Sequence, residues 1–203
     1  GPPCRARHLP GERRRPGAAL RVFLRRIDLW HFRNYRELSL EFATSLNIFV
    51  GENAQGKSNL LEGIYVTALG RSYRTTSDEE LIRWGESVAR VRAEAEREVA
   101  SSRIEILLRR DGPKEIKVAG ETLRRHSDLL GTVNAVVFSP DDLQLVKGAP
   151  ALRRRFLDIE IAQGSPAYRH HFTRYQRVLR QRNNLLKAIS IGSAPRDVLV
   201  DWD

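Results

Sequence analysis

Residues Gly51-Glu52-Asn53-Ala54-Gln55-Gly56-Lys57-Ser58 set two glycines, a lysine and a hydroxyl at the spacing G-x-x-x-x-G-K-S, a pattern whose chemistry is the cradling of phosphate. The glycines let the backbone fold into a nest with its N–H groups pointing inward at anionic oxygens. A helix starting at the end of the loop turns its positive N-terminus to the same anion. Lys57 then reaches the β- and γ-phosphates of a nucleotide, and the Ser58 hydroxyl ligates the Mg²⁺ that bridges them. The stretch from Gly51 to Asn59 is the expected nucleotide contact, with Ser58 on the metal side.

Such a loop works between a strand and a helix, and the flanking residues predict both. Leu46-Asn47-Ile48-Phe49-Val50 is an apolar strand-like run, and Asn59 to Leu69 reads as a helix with Gly70 as its C-cap. Upstream, Val22, Leu24, Ile27 and Leu29 begin a strand, and Leu38-Ser39-Leu40-Glu41-Phe42 alternates as a half-buried strand does. Downstream, Gly70-Arg71-Ser72-Tyr73-Arg74 is a basic connector, and Ser77-Asp78-Glu79-Glu80 has the residues of an N-cap and acidic first turn. Residues 88–118 change period: Val88, Val91 and Ala93, then Ile104, Ile106 and Leu108, then Ile116 and Val118 alternate between turn signals. That predicts an antiparallel meander, where a kinase-like P-loop domain has parallel β-α units.

Val133 to Phe138 reads as one more buried strand, and Ser139-Pro140-Asp141-Asp142 as a helix start. Gly148-Ala149-Pro150 breaks that helix. Two long helices follow from Ala151, the second capped by Ser165-Pro166. Its Tyr168, Phe172 and Tyr175 recur at helical spacing, which reads as core and not as base-stacking platforms.

The chain of 203 residues, 41% hydrophobic and 30% charged, is long enough to bury one core and a small second unit. Its first twenty residues hold Pro2, Pro3, Pro10 and Pro16 among arginines, so 1–20 reads as a disordered basic extension. No apolar run approaches the roughly 20 residues of a membrane span, and a cytoplasmic location is expected. The single Cys4 excludes an internal disulfide, and the five histidines lack zinc-ligand spacing. Methionine is absent even from position 1, so the chain is expected to be processed or part of a longer reading frame. The net charge of +10 is concentrated: residues 1–36 sum to +8 and residues 151–187 to +7, while 37–150 sum to −3. Two basic clusters are the footprint of a polyanionic partner.

Several further segments, in the same order along the chain, extend the pattern. They are Phe32-Arg33-Asn34-Tyr35, the loop continued as Asn59-Leu60-Leu61-Glu62, Gly70-Arg71-Ser72-Tyr73-Arg74, Val137-Phe138-Ser139-Pro140-Asp141-Asp142-Leu143, Val146-Lys147-Gly148, Arg153-Arg154-Arg155-Phe156-Leu157-Asp158, and Arg174 to Asn183. Over about residues 22 to 200 the chain resembles the RecF family, bacterial recombination mediators related to SMC and ABC-type ATPases. The resemblance implies an α/β P-loop NTPase head of ABC/SMC type with an antiparallel β insertion, followed by a helical arm. On that reading 21–148 form the ATP-binding head lobe, and 149–203 start the arm of a truncated chain.

It further implies ATP and Mg²⁺ as ligands, ATP-dependent homodimerisation, binding to DNA at single-strand gaps or junctions, and work with RecO- and RecR-like partners. Loading of RecA, gap repair and the SOS response belong to the same implied role. The family's Phe-Arg segment makes Arg33 a nucleotide contact. Arg71, Arg74, Arg153, Arg154, Arg155, Arg177 and Arg180 are the candidate DNA contacts. The signature motif and the acidic strand end that carry hydrolysis in such heads have no counterpart here, and Ser139-Pro140-Asp141 stands where a γ-phosphate-sensing glutamine is expected. The catalytic base is therefore left unassigned, and an ATP- and DNA-binding chain without turnover is the alternative. Val198-Leu199-Val200-Asp201 is a weak imitation of the acidic motif. A GTPase reading rests on Asp128-Leu129-Leu130-Gly131, which no apolar strand precedes; a small-molecule kinase is disfavoured by the meander.

Overall fold

The computed structural model describes residues 5–8, 23–96, 101–139 and 144–202. Two compact units divide the chain, residues 1–142 and residues 143–203; the division precedes the helix break at Gly148, where the sequence suggested the boundary.

The first unit is built on a six-stranded antiparallel sheet in the order β3-β2-β5-β6-β7-β8. Its strands are β2 (Phe23–Phe32), β3 (Tyr35–Glu41), β5 (Val88–Glu96), β6 (Ser101–Arg109), β7 (Glu115–Val118) and β8 (Glu121–Thr122). Alternation does what period-two patterning requires: Ala89, Val91, Ala93 and Ala95 of β5 and Ile104, Ile106 and Leu108 of β6 are all buried on one face. The opposite face carries ion pairs across neighbouring strands, among them Arg92 to Glu105 at 3.2 Å and Arg103 to Glu94 at 3.3 Å. The predicted meander is present.

Helix α1 (Lys57–Leu69) lies against the apolar face of this sheet. It buries Leu60, Glu62, Gly63, Tyr65, Val66, Thr67, Ala68 and Leu69, apolar on nearly every side, as a helix inside a core must be. At Gly63 it comes so close to β2 that an added Cβ would sit 3.1 Å from Leu29. Gly70 ends it in the left-handed region at φ 67, its N–H donating to the Val66 carbonyl at 2.7 Å. The Lys114 ammonium donates to the Gly70 carbonyl at 2.7 Å and pairs with Asp78 at 2.9 Å, a cation at the negative end of the helix.

Three expectations change, and the strand before the loop stands apart from the large sheet. Strand β4 (Asn47–Val50) leads into the loop but is not part of the large sheet; it pairs antiparallel with β1 (Arg5–His8). Arg5–His8 is thus a strand within the stretch read as a disordered extension, whose remainder lies outside the described residues. Val133 to Phe138 is not a strand: Val133 makes one bridge to Leu130, and Val136 and Phe138 are exposed. An apolar run becomes a strand only where a partner strand accepts its backbone. Ser77 does not cap by its side chain; Asp78–Leu81 is a single 3₁₀ turn.

The second unit holds α2 (Gln144–Lys147), α3 (Pro150–Gly164) and α4 (Pro166–Ser190). Ser165 caps α4, its hydroxyl accepting from the Tyr168 N–H at 3.2 Å. Tyr168 stacks on Phe172 with ring centroids 5.8 Å apart, and its hydroxyl donates to Asp158 of α3 at 2.6 Å. That bond holds the Tyr168 phenol above its ordinary pKa. No residue of α4 is fully buried and Tyr175 is exposed, so the predicted core is a half-covered seam. Residues Arg196–Trp202 form 3₁₀ turns, which removes Val198-Leu199-Val200-Asp201 as an acidic strand end. The helix start read at Ser139-Pro140-Asp141-Asp142 lies largely outside the described residues.

Gly70→Ala places a Cβ 3.1 Å from Ile116 and forces alanine to a positive φ. We expect it to lower unfolding free energy by more than the backbone cost of about 1–2 kcal/mol. Gly120→Ala, at φ 89 with open space around it, should show the backbone cost alone; urea denaturation of the two variants checks the difference.

Candidate nucleotide site

The loop from Gly51 to Ser58 joins β4 to α1 and is exposed except at Gln55, Gly56 and Lys57. Gly56 adopts φ 101 as the N-cap of α1, and no side chain caps the helix. The first-turn N–H groups of Lys57, Ser58 and Asn59 therefore point outward at the loop, available to an anion. Ala54 adds a second left-handed turn at φ 64. Lys57 lies back along the loop, its ammonium donating to the carbonyls of Gly51 at 2.7 Å and Glu52 at 2.6 Å. Ser58 is exposed beside it.

The turn between β2 and β3 fixes the loop from below. The Tyr35 hydroxyl donates to the Gly56 carbonyl at 3.0 Å, and the Asn59 amide donates to Asn34 Oδ1 at 2.8 Å. A Cβ on Gly56 would fall 2.8 Å from both Asn34 Nδ2 and the Tyr35 oxygen, so glycine is required there by space as well as by conformation.

Beneath the first turn of α1 is a carboxylate with 0% exposure, Glu62. Arg33 grips it with two bonds, Nε to Oε2 at 2.8 Å and Nη2 to Oε1 at 2.7 Å. Arg74 adds Nη1 to Oε2 at 3.3 Å and donates from the same nitrogen to Asn59 Oδ1 at 2.9 Å. Ser72 donates its hydroxyl to Oε1, while its oxygen accepts the N–H groups of Arg74 at 2.8 Å and Thr75 at 3.1 Å. Asn59 and Glu62 are three residues apart and share one face of the helix. The basic connector and the β2–β3 turn are thus both tied to the phosphate-loop helix through one buried anion.

Of the residues the sequence singled out, Gly51 to Asn59 and Arg33 come together around this helix start, as does Arg74. Arg33 acts here as the partner of Glu62, with Nη1 donating to the Glu80 carbonyl at 2.8 Å. Arg71 is half-buried on the connector. The others lie in the second unit. Arg154, Arg155, Arg177 and Arg180 are exposed there, and α4 carries six basic residues and no carboxylate. Arg153 instead donates to the carbonyls of Leu145 at 3.2 Å and Gly148 at 3.0 Å, bracing the start of α3. Glu62, Ser72, Asn34 and Tyr35 were not assigned roles from sequence. The available signal was a lone carboxylate in the apolar helical run Leu60 to Val66.

The description "AAA domain" fits residues 26–182 of the chain. The chain belongs to this AAA domain family. Within the AAA domain family it matches the N-terminal half of RecF proteins. RecF of Halalkalibacterium halodurans, a DNA replication and repair protein, is 46% identical over 180 residues, 89% of this chain and 48% of the relative. That of Lachnoclostridium phytofermentans is 40% identical over 182 residues, 90% of the chain and 51% of the relative. The chain spans about half the length of the curated relatives it matches. A RecF solved with ATP, described as the recombination mediator of the RecFOR pathway, superposes with a TM-score of 0.78 at 33% identity, covering 91% of this chain and 50% of that one. An SMC ATPase structure at 21% identity has a TM-score of 0.56 over 68% of the chain, a likeness of fold. The expected α/β head of ABC/SMC type is therefore correct.

Removing the Glu62 carboxylate should cost far more than removing its outer partner. We expect Glu62→Ala to destabilise by about 3 kcal/mol, because it strands the Arg33 guanidinium. Arg74→Ala, at 42% side-chain exposure, should cost under about 1 kcal/mol. Guanidinium unfolding of both variants tests the order.

Proposed function

We propose that this chain is the nucleotide-binding half of a RecF-like recombination mediator: it binds ATP with Mg²⁺ at the loop and contacts DNA through its basic surface. The observation that carries the reading is the uncapped N-terminus of α1 behind Gly56, with Lys57 and Ser58 at the same opening. The residues present fit the group. Backbone N–H groups of the loop and first turn and the Lys57 ammonium would hold the phosphates, and Ser58 would hold Mg²⁺, which supplies charge neutralisation between phosphate oxygens when bound. Arg33 and Arg74, linked through Glu62, add positive charge beside the loop.

On this reading the protein acts in the cytoplasm in DNA replication and repair, dimerises around ATP, and engages DNA at single-strand gaps or junctions. RecO- and RecR-like proteins are its partners, and placement of RecA at gaps and the SOS response to DNA damage are its outcomes. The ATP-bound relative and the names of the repair proteins it matches support this. No described helix is long and apolar enough to cross a membrane. DNA contact is assigned to the carboxylate-free α4, with Arg177 and Arg180 exposed on it, together with Arg154 and Arg155 of α3 and with Arg71 and Arg74 of the connector. Arg153, braced internally, is the weakest of the original set.

Two measurements test the two halves of this reading. Saturating Mg-ATP at about 100 times its Kd should stabilise the chain by about 2.7 kcal/mol. Lys57→Ala should remove that gain while leaving stability without nucleotide within about 0.5 kcal/mol, as followed by thermal unfolding. A large loss of stability without nucleotide in that variant would contradict a ligand role for the lysine. For DNA, the double variant Arg177→Ala/Arg180→Ala should make the slope of log K against log salt about 1.8 less steep on duplex DNA; an unchanged slope in a gapped-duplex titration would remove α4 from the interface.

A further inference from the structure

Trp84 is 94% exposed, and the turn that presents it is held from several directions. Glu86 donates its N–H to the Arg83 carbonyl at 3.0 Å, closing the four-residue turn Arg83 to Glu86. Gly85 at φ 84 takes the third position, where a type II turn needs a positive φ. Arg83 donates its N–H to the His31 carbonyl at 2.7 Å, which anchors the turn to the end of β2. The Arg110 Nε donates to the Glu86 carbonyl at 2.7 Å, which anchors it to the end of β6. The Glu86 carboxylate lies 3.3 Å from His31 Nδ1 and pairs with Arg83 at 3.8 Å.

An indole this exposed adds little to the packing of the described residues, yet here it is set on a braced turn. Rigid presentation reduces the ordering cost of binding, and tryptophan is the side chain most enriched among residues that dominate interfaces. The surroundings decide the partner. Arg83 precedes the indole in the chain and Arg110 donates into the same turn, so two guanidinium groups belong to the turn that also carries the Glu86 carboxylate. A flat π-face beside cations suits an unpaired base with its phosphates, since aromatic stacking holds the base while arginine takes the backbone. We propose that Trp84 is a stacking platform for a base of single-stranded nucleic acid, with Arg83 and Arg110 taking the adjoining phosphates. This assignment rests on the DNA-binding reading above and gives it a contact specific to unpaired strands.

The test uses the full chain with two probes of equal length, an oligothymidylate and an abasic phosphodiester strand, each titrated across a salt series. The wild type should bind the base-bearing strand about tenfold more tightly than the abasic one. Trp84→Ala should lower oligothymidylate binding to the abasic level with the salt slope unchanged, because stacking releases no counterions. Trp84→Phe should recover most of the loss. The exposed position makes loss of folding a poor explanation, and thermal unfolding of each variant checks it. Wild-type affinity in Trp84→Ala overturns the assignment and leaves the indole for a protein partner. A shallower salt slope in Trp84→Ala overturns it too, since the indole would then act only by placing the arginines. If the wild type binds neither strand, the DNA-binding reading fails and this inference falls with it; binding to both strands equally overturns the stacking alone.

Discussion

A carboxylate with no access to water is tolerable only if its charge is answered at close range, and Glu62 is answered three times over, by Arg33, Arg74 and Ser72. Leaving such a group unpaired costs several kcal/mol, so whatever holds Arg33 in place is held in turn by Glu62. Arg33 itself adopts φ 52, a backbone conformation that costs a non-glycine residue about 1–2 kcal/mol. The two-bond ion pair and the N–H bond to the Leu81 carbonyl at 2.8 Å offset that strain. The β2–β3 turn, the first turn of α1 and the connector after α1 are consequently one polar unit. None of the three can shift alone without exposing or orphaning the charge.

That unit explains how the phosphate loop keeps its shape without help from the strand before it. Leu46, Ile48 and Val50 are exposed, and β4 pairs with β1 instead of with a strand of the six-stranded sheet. The loop instead takes its position from its helix. Helix α1 is seated in the core by Leu60, Val66 and Leu69, and Gly56 at its start is pinned by the Tyr35 hydroxyl. The antiparallel sheet therefore serves as a floor, and the polar ring of Asn34, Asn59, Arg74 and Glu62 as a collar around the helix start.

The parts legible in the sequence were those encoded locally. The G-x-x-x-x-G-K-S spacing, the Gly70 cap, the alternation of β5 and β6 and the Ser165 cap are each specified by a few neighbouring residues, and each appears as read. What was not legible depends on residues far apart in the chain. Nothing near Val133 to Phe138 says whether a strand will pair with it, and Phe138 is 87% exposed. Arg33 and Glu62 are 29 positions apart, so the arginine stood out within its motif while its partner was hidden among leucines. Tyr175 shows the limit of periodicity: its spacing gives the face of α4 but not whether anything covers it.

The position of Lys57 bears on how the loop meets a ligand. Its ammonium rests on two exposed loop carbonyls, neutral acceptors that water can replace at little net cost. A phosphate oxygen offers an anionic acceptor, which a cationic donor holds more strongly than a neutral carbonyl. Exchanging the carbonyls for phosphate thus favours the ligand without requiring the side chain to be drawn in from solvent, since its stem already lies along the loop. The same holds for the helix N-terminus, which no protein side chain must vacate. The binding cost of arranging the site has largely been met during folding by the collar around Glu62, which leaves the interaction energy of loop and phosphate for affinity.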